Sequence, residues 1–434
     1  MKDTVNIFWF RRDLRLDDNV GFYNALKSEH PVLPIFIFDE EILKKLPKDD
    51  ARITFIYETL QKMRSKLEDK NNSSIAMFHG EPATIYKNLL EKYNIDTVFT
   101  NRDYEPYAKD RDDKIQQLLN DNNIKFKTFK DQVIFEQNEV TKKDGLPYVV
   151  YTPYMKVWKE QFKTHTLDFY YTSSFLKNLI QDKELPNLSL SDIGFTKSNQ
   201  KIKKHIVTPA LIQNYEDTRN FPAQDSTSKL GPHLRFGTVS IRKMIEKAIT
   251  EKNEIFWQEL IWREFFMQIL WHFPHTSKNS FKAKYDRIDW RNNEAEFLKW
   301  CNGQTGYPLV DAGMRQLNET GFMHNRIRML VGSFLCKHLL IDWRWGEAYF
   351  AEKLHDYEMA SNIGNWQWVA GSGVDAAPYF RIFNPTTQIK KFDNDLAYIK
   401  KWVPDFQEFT YPKEMVDHKE ARERCLATYK EALN

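Results

Sequence analysis

Cysteine is scarce: Cys301, Cys336 and Cys425 are the only three in 434 residues. Their uneven spacing makes neither a disulfide framework nor a metal site, and they read as the structural thiols of a cytoplasmic protein. No apolar run approaches the roughly 20 residues that a membrane helix needs. The opening MKDTVNIFWFRRDLRL carries no signal-type apolar segment with a cleavage site. No Gly-x-Gly-x-x-Gly follows the first strand-like run, so nothing licenses a nicotinamide dinucleotide. No nucleophile–base pair and no two-metal carboxylate set is legible, which argues against hydrolysis. Net charge is small as well, at +3. That value neither demands nor excludes nucleic acid, and a local basic groove must be shown separately.

Aromatic residues are plentiful, at 15% with 12 tryptophans. They fit either a large helical core or a site built to hold flat molecules. The stretch NIGNWQWVAGSGVDAAPYF (362–380) concentrates the question. Two tryptophans one residue apart lie among small residues, with Asp375 as the single charge. Hydrophobic content of 41% and charged content of 28% mark an ordered globular chain. Its length exceeds one ordinary core and calls for more than one domain.

Residues 1–130 alternate strand-like and helical patterns: NIFWF, PVLPIFIF, SIAMFHG, DTVFTN and KFKTFKDQVIF against ARITFIYETLQKMRSKL, PATIYKNLLEKY and AKDRDDKIQQLLND. This predicts an α/β domain with a doubly wound parallel sheet, Rossmann-like in outline. Residues 131–204 lose the pattern and read as an inter-domain linker. Residues 205–434 lack strand signals and predict an all-α domain.

Four constellations stand out in the helical half. In DSTSKLGPHLRFGTVS, Thr227, Ser228 and Gly231 precede a helical pattern. They fit a plain N-cap or a phosphate cradle. Glu259, Trp262, Arg263 and Phe266 share one helix face, either as a buried ion pair among aromatics or as a heterocycle site. In MHNRIRM, Asn325, Arg328 and Met329 share a face while Arg326 points elsewhere. HDYEMASN supplies Asp356, Glu358 and Asn362, and Asp356 becomes a partner for Arg328 if their helices pack.

These segments occur in order with WFRRDLRLDDN, TGYPLVDAGMRQL, IDWRWGEAYF and NWQWVAGSGVDAAPYFRIFNPTTQ. Together they resemble the photolyase/cryptochrome flavoproteins over nearly the whole chain, nearest the class I photolyases that repair cyclobutane pyrimidine dimers. The resemblance implies an FAD-binding helical domain. Tyr215, Thr227, Ser228, Lys229, Leu230 and Gly231 match the family's phosphate segment, Gly231 replacing the common Ser. Arg263, Arg328, Asp356, Tyr357, Glu358 and Asn362 match positions around the isoalloxazine. There Glu358 replaces the commoner Asp, and Asn362 matches the residue facing flavin N5.

The implied substrate is UV-damaged DNA, acted on by a monomer away from membranes. Glu259, Trp262, Asn325, Met329 and Trp368 match the pocket for a flipped dimer. Arg219, Arg326 and Gln388 match DNA-backbone contacts. The implied reaction is electron donation from excited reduced flavin, opening of two C–C bonds, and return of the electron. Asn362 and Glu259 would serve that step, and Trp366, Trp343 and Trp290 match the family's electron-hopping series. Folate-binding relatives often carry an Asn-Glu pair where Tyr107-Ala108 stand here. A folate, a deazaflavin, another flavin or an empty antenna site all stay open.

A cryptochrome photosensor is the main rival. Against it stand Asn362, where plant-type sensors have Asp, the dimer-type set Glu259, Trp262 and Met329, and the lack of a long C-terminal tail. A (6-4) photolyase would show a His pair near 324–328, where only His324 is found, and the DASH-type pattern is unmatched. A purely structural helical protein would leave many buried polar residues unexplained.

Overall fold

The structure is a computed structural model and describes residues 4–434. It divides into two compact units. Unit 1 takes residues 1–136, 161–205 and 229–247; unit 2 takes 137–160, 206–228 and 248–434.

Unit 1 is built on five parallel strands: β1 (Thr4–Phe10), β2 (Val32–Asp39), β3 (Ala76–Gly80), β4 (Asn94–Asn101) and β5 (Lys125–Phe129). Their order is β3-β2-β1-β4-β5. The connections carry α1 (Val20–Leu26), α2 (Glu40–Leu43), α3 (Ala51–Asn71), α4 (Pro82–Lys92) and α5 (Pro106–Asn120). Strand periodicity sorts β1 onto two faces. Val5, Ile7 and Trp9 pack with Tyr86 and Leu89 of α4 and Ile115 and Leu119 of α5. Phe8 and Phe10 pack with Phe22 of α1 and Ile53 and Leu60 of α3. Near-continuous apolar strands are what a sheet covered on both faces requires.

The stretch 131–204 differs from the expected linker. Tyr151–Phe162 forms a helix, α6, whose Tyr151, Tyr154 and Trp158 are buried. Pro153 sits in its first turn, where a missing N–H costs nothing. Farther on, Leu176, Leu179, Ile193 and Phe195 join the unit 1 core without regular strands. Apolar burial rather than periodic structure holds that segment, so a reading by period passes it over.

The remaining elements are helices: α7 (Pro209–Thr218), α8 (Gly231–Arg235), α9 (Ile241–Ile249), α10 (Ile255–His272), α11 (Glu294–Cys301), α12 (Pro308–Thr320), α13 (Asn325–Ser333), α14 (Trp343–Lys353), α15 (Met359–Ala370), α16 (Pro385–Phe392), α17 (Ala397–Trp402) and α18 (His418–Leu433). In unit 2, α12 to α15 share one core around Leu317, Ile327, Val331, Phe350, Ile363 and Trp366. Close packing relies on glycine. A Cβ on Gly364 would meet Phe266 Cδ1 at 2.2 Å, so α15 lies directly on α10. The stretch around the paired tryptophans is thus the end of α15, closed by Gly371 at φ 91°. Among the described residues no helix is long and apolar enough to cross a membrane.

Candidate functional site

A cleft in unit 2 opens where α13, α14 and α15 meet. Nine of the residues singled out from the sequence line it: Asn325, Arg328, Met329, Asp356, Tyr357, Glu358, Asn362, Trp366 and Trp368. Local structure explains their convergence. His324 caps α13, its Nδ1 accepting from the Arg326 N–H at 3.1 Å. One turn on, Arg328 donates from Nε to the Met323 carbonyl at 2.8 Å and from Nη2 to Asp356 Oδ2 at 2.9 Å. The expected Arg328–Asp356 pair is therefore formed. Arg263 of α10 reaches Glu358 Oε1 at 3.1 Å, and both side chains are largely buried.

Asn362 is held by a residue that carries no sequence signal. Its Nδ2 donates to the Glu347 carbonyl at 3.1 Å and to Glu347 Oε1 at 2.9 Å. Burial raises the Glu347 carboxyl above its ordinary value, against hydrogen bonds from Asn362 and Tyr357 that lower it. Glu347 lies on α14 and Asn362 on α15, so no helical spacing links them. Trp366 is 3% exposed and slots against glycine. A Cβ on Gly346 would stand 2.1 Å from its Cη2, and one on Gly332 3.6 Å from its Cζ3. Phe350 meets the indole edge-on at 5.0 Å and Trp300 at 6.2 Å.

Other sequence-selected residues lie outside this lining. Glu259 Oε1 accepts from Arg219 Nη1 at 2.5 Å, with both side chains partly exposed. Trp262 stacks on Tyr151 at 3.5 Å, the rings 8° apart. Arg326 donates from Nη2 to Asn220 Oδ1 at 2.5 Å and lies over the Phe392 ring at 4.4 Å. Its pKa falls below the usual arginine value through burial and the nearby charges of Arg219 and Arg381. Arg381, which sequence reasoning missed, therefore lies near Arg326 and the Arg219–Glu259 pair. Gln388 is half-buried on α16.

Tyr215 packs edge-on against Phe256 at 5.4 Å, and its hydroxyl pKa is pushed up to about 12 by burial and by Glu259. Thr227 and Ser228 belong to unit 2, whereas Lys229, Leu230 and Gly231 belong to unit 1. Trp343 is buried, and its indole Nε1 has no hydrogen-bond partner. Trp290 is half-buried and meets Tyr429 edge-on at 6.0 Å. In unit 1 the Tyr107 hydroxyl donates to Asp39 Oδ2 at 2.8 Å, and Ala108 is buried.

Residues 6–170 match the family model described as DNA photolyase, and residues 256–410 the FAD binding domain of DNA photolyase. A deoxyribodipyrimidine photo-lyase of Agrobacterium fabrum is 36% identical, over 99% of this chain and 98% of that protein. The chain belongs to the DNA photolyase family. Among solved structures, a bacterial class III photolyase from Agrobacterium tumefaciens superposes with a TM-score of 0.87 at 33% identity, covering 100% of this chain and 98% of the other. An archaeal photolyase from Sulfolobus tokodaii with two FAD molecules gives 0.83 at 34% identity, covering 98% of this chain and 100% of the other.

The cleft of this photolyase-family chain fits a flavin. Asp356 Oδ1 is buried without a hydrogen-bond partner on the cleft wall. A buried carboxylate oxygen left open in this way is an acceptor for a donor brought by an occupant. Around it, Arg328 offers a donor and Asn362 its side-chain carbonyl as an acceptor, while Trp366, Phe350 and Val369 offer flat or apolar surface. That mixture of apolar wall and a few converging polar groups is what a heterocyclic cofactor requires.

Proposed function

We propose that this protein is a deoxyribodipyrimidine photo-lyase that splits cyclobutane pyrimidine dimers in UV-damaged DNA by light, with FAD held in the unit 2 cleft. The observation that carries the reading is Asn362, whose amide is fixed by Glu347 on the cleft wall beside the open Asp356 Oδ1. FAD, when bound and reduced, supplies in light the electron that opens the dimer and receives it back. The chain's part is to bind and orient. Arg328 and Asp356 hold one edge of the flavin, Arg263 and Glu358 brace the wall, and Asn362 meets the ring with its amide direction set by Glu347. Tyr215, Thr227 and Ser228 of unit 2 hold the phosphates. No proton transfer by His, Ser or Cys is required, consistent with a lining that contains none of these except Ser361.

The substrate enters at the mouth of this cleft, which Asn325, Met329 and Trp368 line and outside which Glu259 and Trp262 lie. Glu259, Trp262, Asn325, Met329 and Trp368 receive the flipped dimer, which costs less to extrude than an undamaged, well-stacked pair. Arg219, Arg326 and Gln388, together with Arg381, meet the DNA backbone, a reading supported by Arg219 and Arg381 lying within electrostatic reach of Arg326. Trp366, Trp343 and Trp290 would form the path along which an electron from an external reductant reaches FAD. The experiment is illumination of the reduced holoprotein with DNA carrying either cyclobutane dimers or (6-4) products. Loss of cyclobutane dimers in light alone is expected. Dark-equal loss, or repair of (6-4) products only, would overturn the reading.

A further inference from the structure

Trp262 is braced by a residue outside every motif discussed so far. Tyr151 opens α6 and lies flat on the Trp262 indole, centroid to centroid 3.5 Å with the planes 8° apart. Aromatic pairs left to themselves prefer an offset or edge-on arrangement with centroids 4.5–7 Å apart. Something must therefore hold these two rings in register, and three contacts do. The Tyr151 hydroxyl donates to the Gln258 carbonyl at 2.8 Å. Gln258 is four residues before Trp262, so that carbonyl is also the helical acceptor of the Trp262 N–H. At the other end, the Tyr151 N–H donates to Asp375 Oδ2 at 3.2 Å. From the side, Phe265 meets the Tyr151 ring edge-on at 5.8 Å.

Tyr151 is 5% exposed, whereas Trp262 keeps part of its surface in solvent. One ring is a buried support and the other is presented. Glu259 lies next to Gln258 on the same turn, so the clamp holds both the indole and the base-edge acceptor in place. Asp375, the single charge of the 362–380 stretch, holds this clamp from an exposed position at φ 45°. A left-handed φ is affordable for Asp. Its carboxylate ties the loop after α15 to the start of α6.

We propose that Tyr151 is a positioning residue that holds Trp262 flat for the flipped pyrimidine dimer. This rests on the reading that Trp262 meets the lesion. A ring fixed before binding does not have to be immobilised on binding, so its contribution appears as affinity for the dimer. The stack should matter for damaged DNA and not for backbone contacts, which Trp262 does not make.

The test is dark equilibrium binding of dimer-containing and undamaged duplexes to four holoproteins: wild type, Tyr151→Phe, Tyr151→Leu and Trp262→Leu. Flavin content and far-UV circular dichroism are recorded for each. Tyr151→Leu should weaken binding to damaged DNA about three- to tenfold and leave undamaged DNA unchanged. Tyr151→Phe, which keeps the ring, should stay within about twofold of wild type. Wild-type affinity in Tyr151→Leu beside a weakened Trp262→Leu would overturn the inference alone. Unchanged affinity in Trp262→Leu would overturn the lesion reading beneath it. Equal loss in Tyr151→Phe and Tyr151→Leu would assign the effect to the hydroxyl and overturn the role of the stack. Lost flavin or lost helicity in Tyr151→Leu, with Tyr151→Phe intact, would make Tyr151 a packing residue and overturn it as well.

Discussion

Two arginine–carboxylate groups, one buried and one partly exposed, have opposite character. In unit 1, Asp131 lies between Arg15 and Arg242. Its Oδ2 accepts from Arg15 at 2.7 Å, and its Oδ1 accepts from Arg242 at 2.9 Å and from the Val20 N–H at 3.2 Å. Asp18 takes the Nε of Arg242 at 3.1 Å. Both oxygens of Asp131 are used. In the unit 2 cleft, Arg328 engages only one oxygen of Asp356 and the other is left open. The lesson is that arginine–carboxylate pairs do not mark function by their presence. A closed set specifies packing, and a set with a bonding position left open on a cavity wall specifies a ligand.

The largest expected effect comes from breaking the closed set. Asp131→Ala leaves Arg15 without its carboxylate partner in the interior and Arg242 with Asp18 alone, and should cost about 3–5 kcal/mol in urea unfolding. A loss under about 1 kcal/mol would mean that water replaces the carboxylate and that the contrast between the two regions is weaker than stated.

Gly346→Ala is a smaller perturbation on the open side. A methyl group there collides with Trp366, and overpacking of this kind costs about 1–3 kcal/mol. Because the displaced indole lines the cleft, flavin content should fall together with stability. Full flavin retention at reduced stability would show that the slot serves packing only.

The smallest effect is in pH. Asp131 is held below the ordinary carboxylate value: burial pushes it up, and Arg15 and Arg242 more than reverse that. Asp103 is depressed in the same sense by Arg12, Arg11 and Arg235 against its own burial. Their unfolded value is near 3.9. Their stabilisation is therefore fully present above about pH 5 and is lost progressively as pH falls below the unfolded value and through the lower folded one. Burial raises Glu347 in unit 2 instead, so its protonated form is favoured by folding and it opposes acid unfolding. Hydrogen exchange followed from pH 7 to pH 3 should show unit 1 opening before the α14–α15 contact. The reverse order would contradict the assignment of these carboxylates.

Much of this was legible in the sequence, and the gaps have physical causes. The alternation of residues 1–130 shows directly in β1, where Val5, Ile7 and Trp9 face one way and Phe8 and Phe10 the other. Arg328 and Asp356 were paired on residue type alone, and the cleft joins them. Helix α6 was passed over because Pro153 and the short aromatic spacing of Tyr151, Tyr154 and Trp158 hide a helix in a segment that otherwise lacks a period. Glu347 was missed because its contact to Asn362 crosses from α14 to α15, and no spacing rule reports a contact between helices. Tyr151 was missed for the same reason, since its partners Gln258, Trp262 and Asp375 are distant in the chain.

The most direct measurement is FAD binding to flavin-free wild type and Asp356→Asn by titration, with urea unfolding of the two FAD-free proteins alongside. The substitution keeps the size of the side chain and removes the charge on the open oxygen. A hydrogen bond to a charged acceptor contributes about 1.5–3 kcal/mol, so FAD affinity should fall roughly ten- to a hundredfold. The unfolding free energies of the FAD-free proteins should differ by no more than about 1 kcal/mol, because only the partly exposed pair with Arg328 is weakened and the open oxygen stabilises nothing until a ligand arrives. Unchanged FAD affinity with a destabilised FAD-free protein would contradict the account, since Asp356 would then belong to the same closed class as Asp131.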